Sequence, residues 1–457
     1  MSKNTVDLGT EKVSKLLLKL SVPAITAQII NALYNIVDRM YIGHIPNGDL
    51  ALTGLGLCFP IIIIITAFAS LMAQGAAPIA AIHMGKNDND KAENIMGNSF
   101  ILLVATSFIV MIFFQIFREP ILYAMGASKN TITYASEYLK IYLFGTLPVL
   151  ITLGMNMFVN TQGFSKIGMK TVLIGAVSNI ILDPIFIYGF NMGVKGAAYA
   201  TIISQTVSAI WVMLFLFGKK TKLRLKKKNF RLKKEILIPA LTLGLSPFVM
   251  TGTESIINIV LNTSLQRTGG DIAVGAMTII SSIMQFVFLP LQGLGQGAQP
   301  IISYNFGAKN YSRVKETFKL FIKTAVIMTF IIWIITMTCS PLITKVFTKS
   351  TSLIEFTVPA MRTYFFMVMA MGVQTSCQQT FLATGQAKIS LFLALLRKII
   401  LLAPLAIIFS YVWGARGVFV AEPVSDLTAA TVTFIMFMRN RRYIFEGIEK
   451  NKIKEKL

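Results

Sequence analysis

Five carboxylates lie inside long apolar runs: Asp38, Asp183, Glu254, Glu422 and Asp426. Most of the other acids fall in loops or tails. A charged group in a bilayer core is expensive, so one that persists there faces a bundle interior or a water-filled cavity and marks an ion, proton or substrate path. Gln28, Asn31, Asn35 and Asp38 recur at helical spacing and make one polar stripe. Asn179 and Asp183 are four residues apart and share a helix face. Two carboxylates with amide oxygens make either a proton acceptor or a hard-cation cage. The competing reading of Asp38 is an interfacial residue paired with Arg39.

Glu254, Asn258 and Asn262 form a second stripe, which also reads as a hydrogen-bonded helix contact. Glu422 and Asp426 are four apart, and Arg397 is placed to neutralise one of them, so a structural ion pair stands beside a transport role. Met155, Phe158, Met284, Phe286 and Met369 are candidates for an adaptable cavity wall, although such residues in spans usually pack or face lipid. Cys58, Cys339 and Cys377 read as small buried hydrophobes. With two histidines and no CxxC or HExxH, metal catalysis has no ligand set, and no nucleophile with a base marks an enzyme.

The elements that must hold these groups are membrane helices. The chain is 54% hydrophobic and 14% charged. Twelve apolar segments are expected near 16–42, 50–84, 94–117, 132–158, 165–190, 195–218, 236–266, 272–306, 316–340, 355–382, 389–412 and 416–438. The net charge of +23 reads as topology rather than nucleic-acid binding. Residues 219–234 carry no acid, and the tail is basic too; the positive-inside rule places both, and with six spans per half the N-terminus, in the cytoplasm. Residues 1–15 lack an apolar h-region, so insertion is expected through the first span.

The two halves repeat. Gln74–Gly85 (QGAAPIAAIHMG) returns as Gln296–Gly307 (QGAQPIISYNFG), with six identical positions. Pro23 matches Pro247, Pro120 matches Pro341, and Gly193 and Gly196 match Gly414 and Gly417. Six spans per half make the repeat parallel, related by an axis along the membrane normal. The expectation is an all-α polytopic membrane protein of twelve transmembrane helices in two pseudo-symmetric six-helix lobes. The lobes are 1–218 and 236–438, with a basic linker at 219–235 and a cytoplasmic tail at 439–457.

In that order and length, the chain resembles the MATE (multidrug and toxic-compound extrusion) transporters, in the bacterial branch that includes the DinF- and MepA-type pumps. The carriers are Pro23 with Asp38, the repeated Gln-Gly-Ala-x-Pro segment, Asn179 with Asp183-Pro184, the stretch Gly193–Thr201, and Ala421–Asp426. The resemblance implies a secondary antiporter of a bacterial plasma membrane, exporting organic cations against inward H+ or Na+. It implies a cation-coupling site at Asp38, Asn179, Asp183 and Thr201, with Asp38, Asn179 and Asp183 as ligands if the ion is Na+. It makes Pro23 a conformational residue. Asn35, Glu254, Asn258, Met284 and Gln205 are candidates for the substrate cavity. A seventh-span Glu with a tenth-span Asp, used in another branch, has its first member in Glu254 and no match for the second. No cofactor, nucleic acid or oligomer is expected. The rival readings are a lipid-linked oligosaccharide flippase and a non-transporting membrane receptor.

Overall fold

The structure is a computed structural model that describes residues 6–448. Among the described residues all regular elements are helices. A chain that crosses lipid must satisfy its backbone within each segment, and helices do so. Among the described residues nine helices are long and apolar enough to span a membrane, and two bent helix pairs raise the count to eleven. One of the nine, Lys234–Gly307, contains a non-helical residue at Gly270 (φ 61°) that divides it in two, which brings the spans to twelve.

Spans 1, 2 and 3 are Val13–Gly43, Gly48–Gly85 and Asn89–Ala124. Span 4 is bent by 56° between Ile132–Phe144 and Thr146–Thr161, with Gly145 at the break. Spans 5 and 6 are Ser165–Gly189 and Val194–Phe217. Spans 7 and 8 meet at Gly270, and span 9 is Tyr311–Thr338. A short helix, Ser340–Phe347, precedes span 10, which bends by 43° between Thr351–Tyr364 and Val368–Ala383. Spans 11 and 12 are Ala387–Trp413 and Ala415–Glu446. Gly193 and Gly414 open spans 6 and 12 with positive φ, 53° and 61°, a backbone state that glycine adopts at little cost. The duplicated sequence thus repeats its geometry.

The core is divided. One apolar cluster fills the first lobe around Leu103, Leu139 and Phe158. Two fill the second lobe, one around Met277, Met361 and Phe419, the other around Phe321, Phe381 and Phe437. The start of span 1 crosses over: Leu8, Leu16, Leu17 and Leu20 pack into the second lobe's core. The preceding segment is tied there as well. Asn305 donates to the Leu8 carbonyl (2.9 Å) and Arg313 to the Glu11 carbonyl (2.7 Å).

The lobes meet through the repeated motif. Gly75 lies against the backbone of Ala240 and Gly244, and Gly297 against Ser21. These approaches leave no space for a Cβ, so small residues set the interhelical distance. Spans 2 and 8 continue through these glycines, and close packing is what they provide.

The linker is fixed to the first lobe. The Gln162 side-chain oxygen accepts from Leu223 N and Thr221 Oγ1, both at 2.7 Å. Glu93 accepts from Arg224 N at 3.0 Å and pairs with Lys226, and Asn98 Oδ1 accepts from Lys233 N at 2.7 Å. Thr221, Leu223 and Leu225 point in while Lys222 and Arg224 point out. The basic tail expected at 439–457 lies outside the described residues beyond Ile448.

Candidate functional site

The stripe on span 1 remains open to solvent in its middle, with Asn31 and Asn35 exposed and Asp38 half-buried. In a spanning bundle, exposed polar groups of this kind face a water-filled cavity. Asn35 satisfies itself locally by donating to the Asn31 carbonyl (2.7 Å). Asp38 reaches across to span 5, where its carboxyl faces that of Asp183 within electrostatic range. Arg39 lies over the Phe59 ring at 5.1 Å and within electrostatic range of Asp38, with no ion pair between them among the described residues.

Asp183 is fully buried. Asn179 Nδ2 donates to Asp183 Oδ1 at 3.2 Å and to Thr201 Oγ1 at 3.5 Å. Spans 1, 5 and 6 therefore bring Asp38, Asn179, Asp183 and Thr201 together. Three of their oxygens, Asp38 Oδ1, Asn179 Oδ1 and Asp183 Oδ2, are buried without a donor. A buried unsatisfied polar group costs about 1–3 kcal/mol, more when charged. Acceptors collected without donors fit a proton or a hard monovalent cation held by oxygen. The π-helical turn Ile185–Gly189, directly after Asp183-Pro184, widens the helix at this place, as such turns often do at functional sites.

Tyr34 was missed in the sequence, although it sits one turn before Asp38 on the same helix. Its phenol lies within reach of the Asn35 and Gln205 side chains, which places Gln205 beside the cluster. Pro23 is buried in span 1, and the helix runs through it unbroken. Proline removes the hydrogen bond to the carbonyl four residues back, so this is the weak point of that helix.

The second lobe holds a different arrangement. Arg397 donates from Nε to Asp426 Oδ1 at 2.7 Å and from Nη2 to Glu422 Oε1 at 3.1 Å, so it serves both acids rather than one. All three are buried. Lys398 pairs with Glu254. Lys398 was overlooked as a site residue; a second cation beside Arg397 in an apolar span was the signal for it. Asn258 and Asn262 are exposed on the same face as Glu254. Met284 does not line an open cavity: it packs in the second lobe's core beside Ile280 and Val287. Met155 and Phe158 are likewise core residues, whereas Phe286 and Met369 are exposed. Cys58 and Cys377 are buried as expected, but Cys339 is exposed at the end of span 9. Among the described residues no cluster of three or more His, Cys, Asp or Glu is arranged to hold a metal ion.

The MatE family model matches residues 23–185 and again 248–411, one stretch in each lobe and well over half the chain. The chain belongs to the MatE family. Among curated MatE relatives, Multidrug export protein MepA of Staphylococcus haemolyticus (strain JCSC1435) is 24% identical over 429 residues, 93% of this chain and 94% of that protein. MepA of Staphylococcus aureus (strain N315) is 25% identical over 428 residues, with the same coverage. A crystal structure of MATE in the bent conformation superposes with a TM-score of 0.90 at 24% identity, covering 96% of this chain and 99% of that one. A MOP superfamily transporter from Pyrococcus furiosus, described as having a binding pocket of reverse polarity, also gives 0.90 at 24% identity, with 97% and 99% covered. The fold is that of the MATE transporters, twelve spans in all, and the chain is a multi-pass membrane protein and not an enzyme.

Proposed function

We propose that this protein is a secondary active exporter of small organic cations that exchanges them for H+ or Na+. The single observation that carries this reading is the set of donor-free oxygens shared by Asp38, Asn179 and Asp183. A site of that composition holds a positive ion, and in a transporter fold an ion site in the lobe interior is where a gradient does its work. The MepA relatives are named for multidrug export, which supports a multidrug efflux role for this chain.

The lobes touch where the linker and the ends of spans 2 and 8 gather, and the linker is the basic segment. The positive-inside rule makes that end cytoplasmic, so the closed contact seals the cytoplasmic side of a bacterial plasma membrane protein. An ion arriving from outside meets Asp38 and Asp183 in the far half of spans 1 and 5. Two carboxyls held this close share one positive charge more readily than they hold two negative ones. Occupation changes the contact between spans 1 and 5, and span 1 also packs on the second lobe, so it is connected to both bodies that move. The interior carries more carboxylates than cations, which favours cationic cargo over an anionic lipid-linked sugar.

The test is dye efflux from proteoliposomes under an imposed pH gradient or an imposed Na+ gradient, each alone. One gradient drives efflux of a cationic dye in the wild type and fails in Asp183→Asn. Efflux under neither gradient, or normal coupled efflux by Asp183→Asn, overturns the proposal.

A further inference from the structure

The second lobe is one positive charge short. Its charge cluster, buried except at Glu254, contains three carboxylates, Glu254, Glu422 and Asp426, against two cations, Arg397 and Lys398. The deficit shows in the geometry. Glu422 is 3% exposed, yet its Oε2 has no donor although Arg397 holds Oε1. The other neighbours supply no charge: Phe288 of span 8 lies under the Arg397 guanidinium, and Tyr364 and Met371 of span 10 face the cluster.

The two cations are not equivalent. Arg397 is fixed between two partners in a forked geometry, and its own carbonyl accepts from Ser425 Oγ at 2.8 Å. Lys398 pairs with Glu254 through an ammonium on a flexible four-carbon stem. Both stand on the π-helical turn Leu396–Leu402 of span 11. Glu254 is the open end of the cluster. Its side chain is 49% exposed, on the stripe shared with Asn258 and Asn262, while Lys398 behind it is buried. Lys398 also lies within electrostatic range of Glu422 and Asp426.

We propose that Lys398 is an internal stand-in for the substrate: it occupies Glu254 when the cavity is empty, and an organic monocation binds by taking Glu254 while the ammonium turns toward the unpartnered Glu422 oxygen. The charge count then closes, with three cations on three carboxylates. The exchange leaves no buried charge alone at either end, which is the costly outcome that single-partner removal would create. It also makes Lys398 a specificity residue. A ligand without a fixed positive charge cannot replace the ammonium on Glu254, so neutral compounds gain nothing from the site. This inference rests on the export reading above, and its test separates the two.

The probe is tetraphenylphosphonium, with uncharged triphenylphosphine oxide as its neutral counterpart, binding to the purified full chain in nanodiscs. Lys398→Met removes the competitor and raises tetraphenylphosphonium affinity about tenfold, because binding no longer has to displace an occupant. Lys398→Arg keeps a cation on Glu254 and binds like the wild type. Glu254→Gln in the Lys398→Met background abolishes the gain. Triphenylphosphine oxide binding does not respond to any of these changes. Equal or weaker tetraphenylphosphonium binding by Lys398→Met, with thermal stability like that of Lys398→Arg, overturns the stand-in role and leaves the export reading intact. If Lys398→Met does not fold, Glu254→Gln alone decides: lower affinity supports the exchange, unchanged affinity overturns it. Absence of saturable tetraphenylphosphonium binding to the wild type overturns both.

Discussion

Gly85 lies directly against the backbone carbonyl of Tyr304, and 222 positions apart in the repeat Gly307 lies against the carbonyl of Ile82 in the same way. The contact is reciprocal about the pseudo-two-fold axis, and both glycines are the last residues of the duplicated motif. A Cβ at either would overlap backbone, which cannot rotate aside. Gly85→Ala and Gly307→Ala therefore oppose closure at the linker end. Overpacking costs about 1–3 kcal/mol, roughly a 5- to 150-fold shift toward the state open at that end. Spin labels at the exposed Lys86 and Lys309 report this as a longer distance population, while Gly252→Ala, which meets nothing within 4 Å, leaves the distribution as in the wild type. Unchanged distances in both interface variants would show that the contact is not the gate.

The linker offers a separate check on rigidity. Gln162 and Glu93 accept from the backbone N–H groups of Leu223 and Arg224, and a hydrogen bond to a charged acceptor such as Glu93 contributes about 1.5–3 kcal/mol. Glu93→Ala with Gln162→Ala releases the segment, and trypsin then cleaves among Lys219–Lys234 at least tenfold faster than in the wild type. Local opening sets that rate while the spans stay folded. Cleavage at the wild-type rate would mean that the apolar contacts of Leu223, Leu225 and Phe230 hold the linker without help.

What the sequence made legible followed from cost. Asp38 and Asp183 stood out because a carboxylate in an apolar run is improbable without a purpose, and the structure brings both to one place with Asn179 and Thr201. The duplicated motif was legible as ancestry but not as contact, since repeat spacing says nothing about which surfaces meet. Lys398 was illegible for a different reason. The Arg397-Lys398 pair in an apolar span marks a buried charge but gives it no direction, and the partner Glu254 is 144 residues away. Met284 failed because methionine suits a cavity wall and a packed core equally well, and only tertiary packing separates them. The bends at Gly145 and near Phe365 left no proline at the break to announce them.

Arg397 gives the stability prediction. Removing it leaves Glu422 and Asp426 buried without their common counter-charge, and breaking such a network costs about 3–5 kcal/mol. Arg397→Met lowers the thermal midpoint of the detergent-solubilised protein by several degrees. Adding Glu422→Gln and Asp426→Asn recovers most of the loss, because no charge then remains unpaired. Failure of the neutral triple variant to recover would show that Arg397 acts through packing against Phe288 and Met371 instead of through charge.

Asn179 is the group that organises the first-lobe site, because its amide is the donor to both Asp183 Oδ1 and Thr201 Oγ1. Its own oxygen is one of the three left without a partner. Asn179→Ala deletes a donor and an acceptor together, so Asp183 loses its orientation and the site loses a ligand. At about 1–3 kcal/mol for a buried unsatisfied group, ion-driven efflux falls about tenfold or more under whichever gradient drives the wild type. Equilibrium binding of tetraphenylphosphonium without a gradient stays within about twofold of wild type, because the Glu254 stripe on span 7, the proposed substrate site, is untouched. A loss of binding equal to the loss of efflux would place the substrate on Asn179 itself and remove the separation between the two sites.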